Sequence, residues 1–210
     1  MEISAAMVKD LREKTGAGFM DCKEALTSCN GNMEEAILWL RKKDKIKAER
    51  KSHRLAAEGL IGSYIHAGDK LGVLVEVNCE TDFAAHTDDF RELVKDVCMQ
   101  VAAADPKYLR REEVPQIVLD QEKDVFLTQA KASGKPEKVL QHIVDGKVAQ
   151  FFKENCLLEQ AFIKEPKLSI GELVAAKIAK IGENISIRRF VRFKLGDWQE
   201  KESLTAEKEG

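Results

Sequence analysis

The alternation of Leu71, Val73, Val75 and Val77 with Gly72, Leu74 and Glu76 is the feature that most limits how this chain can fold. A two-residue apolar period marks a strand with one buried face. The run Leu60-Ile61-Gly62-Ser63-Tyr64-Ile65-His66 precedes it across Ala67-Gly68-Asp69-Lys70, so the pair predicts a β-hairpin. A lone hairpin is marginal in water and needs a further strand. The candidate, Ile185-Ser186-Ile187-Arg188-Arg189-Phe190-Val191-Arg192-Phe193, comes only much later in the chain.

Helical signals fill the interval. Asp88 and Asp89 suit a helix start, where the macrodipole favours negative charge, and Phe90, Leu93, Val94, Val97 and Val101 form a stripe that Asp105-Pro106 ends. A second helix starts near Pro115 and runs to about Ala132, before Gly134-Lys135-Pro136. A third carries Leu140, Val144, Val148 and Phe151. A fourth opens on Ser169-x-x-Glu172 and stops at Gly182. The fold class read from this order is α+β: a small antiparallel sheet packed with helices.

The segment 1–43 reads as a module of three helices. Ser4 caps the first, whose apolar residues are Ala5, Val8 and Leu11, and Thr15-Gly16-Ala17-Gly18 ends it. Cys22, Ala25 and Leu26 point inward from the second. Asn32 caps the third, with Glu35 three residues on and Met33, Ala36, Ile37 and Leu40 as its stripe. A basic segment follows over 44–56, a helical linker, then a core over 57–197 and a charged tail over 198–210 expected to be disordered. The basic run 42–54, KKDKIKAERKSHR, is either a solvated face or an RNA contact; it offers no aromatic for a base to stack on.

The balance of 34 basic and 36 acidic residues, net −2, argues against any overall bias toward nucleic acid or an anionic membrane. The five cysteines are odd in number and form no C-x-x-C, so neither a disulfide framework nor a zinc site is expected. Met1-Glu2-Ile3-Ser4 does not open like a signal peptide, and no apolar run reaches the roughly 18 residues of a membrane helix. A cytoplasmic protein is expected, with no membrane partner.

Chemistry is hard to find. Phosphate-loop, dinucleotide, zinc-protease and nucleophile-elbow motifs are all missing from the sequence. His53, His66, His86 and His142 have no metal-ligand spacing. Cys79 with His86 would be the pair for a thiol nucleophile, against the plainer reading of a core cysteine and a surface histidine. No enzyme, cofactor or bound metal is expected.

One loop stands out: Asn78-Cys79-Glu80-Thr81-Asp82-Phe83-Ala84, between the hairpin and a long helix. Such a loop can present side chains from a rigid scaffold. It can equally use Asp82 as a helix cap and bury Phe83 as a core plug.

Several segments resemble bacterial elongation factor Ts in its short form. They are Leu11-Arg12-Glu13-Lys14-Thr15-Gly16-Ala17-Gly18, Asp21-Cys22-Lys23-Glu24-Ala25-Leu26, Gly72 through Phe83, and Ile181-Gly182-Glu183-Asn184-Ile185 with Arg189-Phe190. The likeness spans about 1–197. It implies a non-enzymatic guanine nucleotide exchange factor of translation elongation. Its partner would be elongation factor Tu, in GDP-bound and nucleotide-free states, and no direct nucleic-acid contact is expected. The resemblance makes the N-terminal module like a ubiquitin-associated (UBA) domain that docks on the partner's G domain through Phe19, Met20, Asp21 and Lys23. It makes Thr81, Asp82, Phe83 and Ala84 the loop that wedges into that domain and dislodges its magnesium ion. Alanine at 84 stands where the family usually has valine, expected to cost apolar contact. Short forms also pair as homodimers, which leaves the stoichiometry open.

Overall fold

A computed structural model describes residues 3–132 and 136–197; the tail expected over 198–210 and the helix break expected at Gly134-Lys135 lie outside the described residues. The described residues divide into two compact units, one from 3–98 with 172–197 and the other within 99–171.

The first unit opens with α1 (Ala5–Thr15), α2 (Phe19–Ser28) and α3 (Met33–Lys51). Their ends follow the local chemistry. Ser4 Oγ accepts from the Met7 amide at 3.3 Å, and Gly16 closes α1 in the left-handed region at φ 67°. Asn32 Oδ1 accepts from the Glu34 and Glu35 amides, but its side-chain amide donates to Glu35, so the reciprocal bond runs between side chains. Val8, Leu11, Cys22, Ala25, Leu26, Ala36 and Leu40 form the buried cluster. The third helix does not end near residue 43. It continues unbroken to Lys51, because no helix breaker interrupts the basic run.

The sheet follows as β1 (Glu58–Ile65), β2 (Leu71–Cys79) and, at the far end of the chain, β5 (Ile185–Lys194), in the order β1-β2-β5, all antiparallel. Alternation holds as expected in β2, where Val73, Val75, Val77 and Cys79 are buried. In β5 it breaks: Arg188 is bulged between Ile187, paired with Val77, and Arg189, paired with Glu76. The bulge puts Arg189, Val191 and Phe193 on the same face as Ile61, Ile65 and Leu74. The opposite face meets α5 (Asp88–Ala104) so closely that a Cβ on Gly62 would lie 2.3 Å from Val94 Cγ1. A four-residue helix, α4 (Asp82–Ala85), joins β2 to α5.

The second unit holds the helices α6 (Gln116–Ala132) and α7 (Glu137–Asn155), with Val114, Phe152 and Cys156 at the centre of a small apolar cluster. A short hairpin the sequence did not signal, β3 (Ala161–Phe162) with β4 (Glu165–Ser169), follows. Buried Gln100 donates to Gln160 Oε1 at 3.1 Å and to the Ala161 carbonyl at 3.2 Å, fixing this hairpin. The last helix, α8 (Ile170–Ile181), leads back into the first unit.

Candidate functional site

The segment after β2 is built to hold one aromatic side chain outward. Thr81 leaves the strand in an extended conformation (φ −130°, ψ 154°), and its Oγ1 accepts from the Ala84 amide at 3.2 Å, capping α4. Thr87 does the same for α5, accepting from the Phe90 amide at 3.3 Å and donating to the Ala84 carbonyl at 2.7 Å. Between the two caps, Ala84 and Ala85 are buried, whereas Asp82 is exposed and Phe83 is 82 % exposed. Two threonines, not Asp82, cap the helices, and Phe83 is not a core plug. A four-residue helix has only one inward face, and the two small alanines occupy it. Ala84 therefore seats the helix and does not extend the exposed surface.

The loop is tied down from a distant part of the chain. The Glu183 carboxylate accepts from the Glu80 amide at 3.1 Å, the Thr81 amide at 3.0 Å and the Thr81 hydroxyl at 2.6 Å. In return, the Glu80 carboxylate accepts from the Asn184 amide at 2.6 Å. Cys79 Sγ lies 3.1 Å from the Thr81 carbonyl and donates to it. These bonds satisfy the backbone just before Phe83 and leave that side chain as the projecting group.

The N-terminal residues fall in two kinds. Phe19 and Met20, in the first turn of α2, are 50 % and 70 % exposed, and Lys23 is exposed as well. Asp21 is half-buried and occupied: Lys43 donates to it at 2.9 Å and Lys47 at 2.8 Å. Hydrogen bonds from Lys47 and then Lys43 hold the Asp21 carboxyl below the usual carboxylate range. So Phe19, Met20 and Lys23 present free surface, and Asp21 braces α2 against α3.

A family profile described as "Elongation factor TS" matches residues 5–197. The chain belongs to the elongation factor Ts family. Among its relatives, the elongation factor Ts of Syntrophomonas wolfei is 57 % identical over 201 residues, covering 96 % of this chain and 94 % of the relative. That of Thermoanaerobacter pseudethanolicus is 55 % identical, covering 96 % and 98 %. That of Koribacter versatilis is 56 % identical, covering 94 % and 90 %. The chain is thus a translation elongation factor by family, with the helix-rich α+β fold expected of it.

Within the elongation factor Ts fold, the thiol-nucleophile site fails on geometry. Cys79 is fully buried, and burial, with the Glu183 carboxylate nearby, pushes its thiol above the usual range. A thiol nucleophile needs the opposite shift. His86 does not approach it as a base; its Nδ1 is 2.7 Å from the Asp82 carbonyl. The basic run is engaged within the protein in part, with Lys42, Lys45 and Arg50 left exposed. Lys43 and Lys47 bind Asp21, Lys51 donates to the Gly182 carbonyl, and Arg54 pairs with Glu80 at 3.5 Å. Among the described residues, no group of three or more His, Cys, Asp or Glu could hold a metal ion, and no helix is long and apolar enough to cross a membrane.

Glu183 and Asn184 are the site residues that local patterning misses. They lie 102 to 132 residues from the groups they bind, and no short-range pattern connects them. The sequence signals available were the family match over Ile181-Gly182-Glu183-Asn184-Ile185 and the glycine in it, which turns the chain at φ 90°.

Proposed function

We propose that this chain is a guanine nucleotide exchange factor for elongation factor Tu, and that it accelerates GDP release by inserting Phe83 into the partner's G domain beside the magnesium and phosphate site. The observation that carries the proposal is an aromatic side chain left 82 % exposed on a helix whose backbone is otherwise fixed by capping bonds and by Glu183. Leaving a phenylalanine in water gives up about 1.5–3 kcal/mol of burial, and docking recovers it. A rigid wedge also loses little entropy on binding.

The exchange follows from linkage. A factor that binds the nucleotide-free partner more tightly than the GDP-bound one weakens GDP by the same factor. Phe83 supplies differential binding if its pocket opens only when the phosphate loop shifts and magnesium leaves. Asp82, exposed beside it, is placed to meet a polar group at the pocket rim. Phe19, Met20 and Lys23 form a separate docking patch, apolar with a basic edge, that brings the two proteins together without selecting the nucleotide state. Addition of the chain to elongation factor Tu loaded with fluorescent GDP tests the function: release accelerates, or the assignment falls.

A homodimer is the second part of the reading. The sheet face away from α5 carries Ile61, Ile65, Leu74, Val191 and Phe193, all exposed. A contiguous apolar face of this kind marks an interface, and a second copy offers the same face in return. Sedimentation equilibrium of the parent and of Phe193→Asp tests it. A dimer that the charge dissociates supports it; a parent that stays monomeric at high micromolar concentration overturns it.

A further inference from the structure

We infer that Glu183 is a positioning residue for exchange: its carboxylate is the template on which the Thr81-Asp82-Phe83 loop is set, and the Gly182-Glu183-Asn184 turn links that loop to the end of α3. The inference rests on the reading of Phe83 as the exchange wedge and adds the residue that aims it.

Strand pairing places Cys79 opposite Ile185, so the residues just past β2 and just before β5 are neighbours. Each of these segments gives the other a carboxylate. Glu183 takes two successive amides and a hydroxyl, and Glu80 takes the Asn184 amide. Two backbone N–H groups on one carboxylate oxygen fix the direction in which the chain leaves the strand. The hydroxyl on the other oxygen fixes the Thr81 rotamer that caps α4. Charge-assisted bonds of this kind are stronger than neutral ones. Glu183 never needs to touch the partner; it acts through the direction given to the first turn of α4, where Phe83 stands.

The same turn reaches the helical module. Lys51 donates to the Gly182 carbonyl, and the Asn184 side-chain amide donates to the Arg54 carbonyl at 2.7 Å and the Ser52 carbonyl at 3.5 Å. Gly182, Glu183 and Asn184 therefore hold the exit of α3 with one set of bonds and the exchange loop with another. A partner gripped through the helical module meets Phe83 at a fixed offset from that module.

The test is a double-mutant cycle on the full chain. Glu183→Ala, Glu183→Gln, Phe83→Ala and the Glu183→Ala/Phe83→Ala pair are compared, each shown to be folded by circular dichroism. Two readouts are taken: the maximal rate of fluorescent GDP release at saturating factor, and amide hydrogen exchange at Glu80 and Thr81. Glu183→Ala is expected to deprotect both amides and slow maximal release about tenfold, the cost of losing a charged acceptor to part-buried donors. Glu183→Gln, which keeps an acceptor oxygen, is expected to recover most of the rate. The pair is expected to be no slower than Phe83→Ala alone, because an unaimed wedge and a missing wedge are the same loss. If Glu183→Ala lowers only thermal stability and leaves the release rate intact, or if the two losses multiply in full, Glu183 has no positioning role. If Phe83→Ala releases GDP like the parent while Glu183→Ala is slow with deprotected amides, Glu183 stands and the wedge reading falls.

Discussion

The side-chain amide of Asn184 donates to the backbone carbonyl of Arg54 at 2.7 Å, joining residues 130 positions apart. Asn184 is buried, and its own backbone amide is held by Glu80, so its backbone and side-chain amides are both engaged. This bond ties the chain leaving α3 to the turn before β5. Removing it leaves a carbonyl without its partner. Asn184→Ala is expected to destabilise the protein by about 1–3 kcal/mol. Urea denaturation checks this, and a midpoint equal to the parent's would remove Asn184 from the framework.

Two glycines of β1 are expected to tolerate alanine very differently. A Cβ on Gly62 would meet the side chains of Val94 and Cys98 at 2.3 and 2.8 Å, and these can partly shift. A Cβ on Gly59 would lie 2.1 Å from the Val77 carbonyl oxygen, which is backbone, at φ 144°. Gly62→Ala is expected to cost about 1–3 kcal/mol by overpacking. Gly59→Ala is expected to cost more, since both the contact and the dihedral are unfavourable. Thermal melts rank the two, and the reverse order would contradict the β1–β2 register.

The acidic residues at the α2–α3 contact give opposite pH signatures. Asp44 is half-buried, and burial pushes its carboxyl up to about 6. A carboxyl with a raised folded pKa destabilises above that pKa, and the penalty is relieved as pH falls from about 6 toward the ordinary aspartate value of 3.8. Asp44→Asn is therefore expected to stabilise at pH 8, on the order of 1 kcal/mol after screening, with no difference left below pH ~4. Asp21, lowered by Lys47 and Lys43, behaves the other way. Its contribution is present above 3.8 and is lost as pH falls through its lower folded pKa, so Asp21→Asn is destabilising at neutral pH and neutral in strong acid. Melting temperature against pH for the two variants distinguishes them by sign.

Thiol reactivity should follow exposure. Cys22, Cys79, Cys98 and Cys156 are buried, and burial raises each thiol, to about 11 for Cys98 and Cys156. Cys29 is the partly exposed one. Alkylation of the native protein is expected to label Cys29 first and the other four only on unfolding. Mass mapping that found Cys79 labelled early would reopen a role for its thiol.

Much of the fold was legible because its signals are local. Alternation from Leu71 to Val77 revealed β2, and the Ser4, Gly16 and Asn32 caps marked helix ends that the structure places within a residue or two. What was not legible depended on distance or on brevity. The bulge at Arg188 is invisible until β5 is paired with β2. The helical character of the basic run was legible, but not its brace to Asp21, more than twenty residues earlier in the chain. The exposure of Phe83 could not be read from α4, because four residues give no helical period, and an aromatic next to two alanines looks like core. Family resemblance, carried by the long match from Gly72 to Phe83, gave the better guide there.

Stopped-flow release of fluorescent GDP from elongation factor Tu, with parent and Phe83→Ala at saturating concentration, is the most direct measurement. The parent is expected to accelerate release strongly. Loss of the aromatic removes about 2 kcal/mol of burial gained only once the nucleotide site opens, which lowers the accelerated rate by roughly thirtyfold. A folded Phe83→Ala protein that accelerates release as well as the parent does would contradict the wedge.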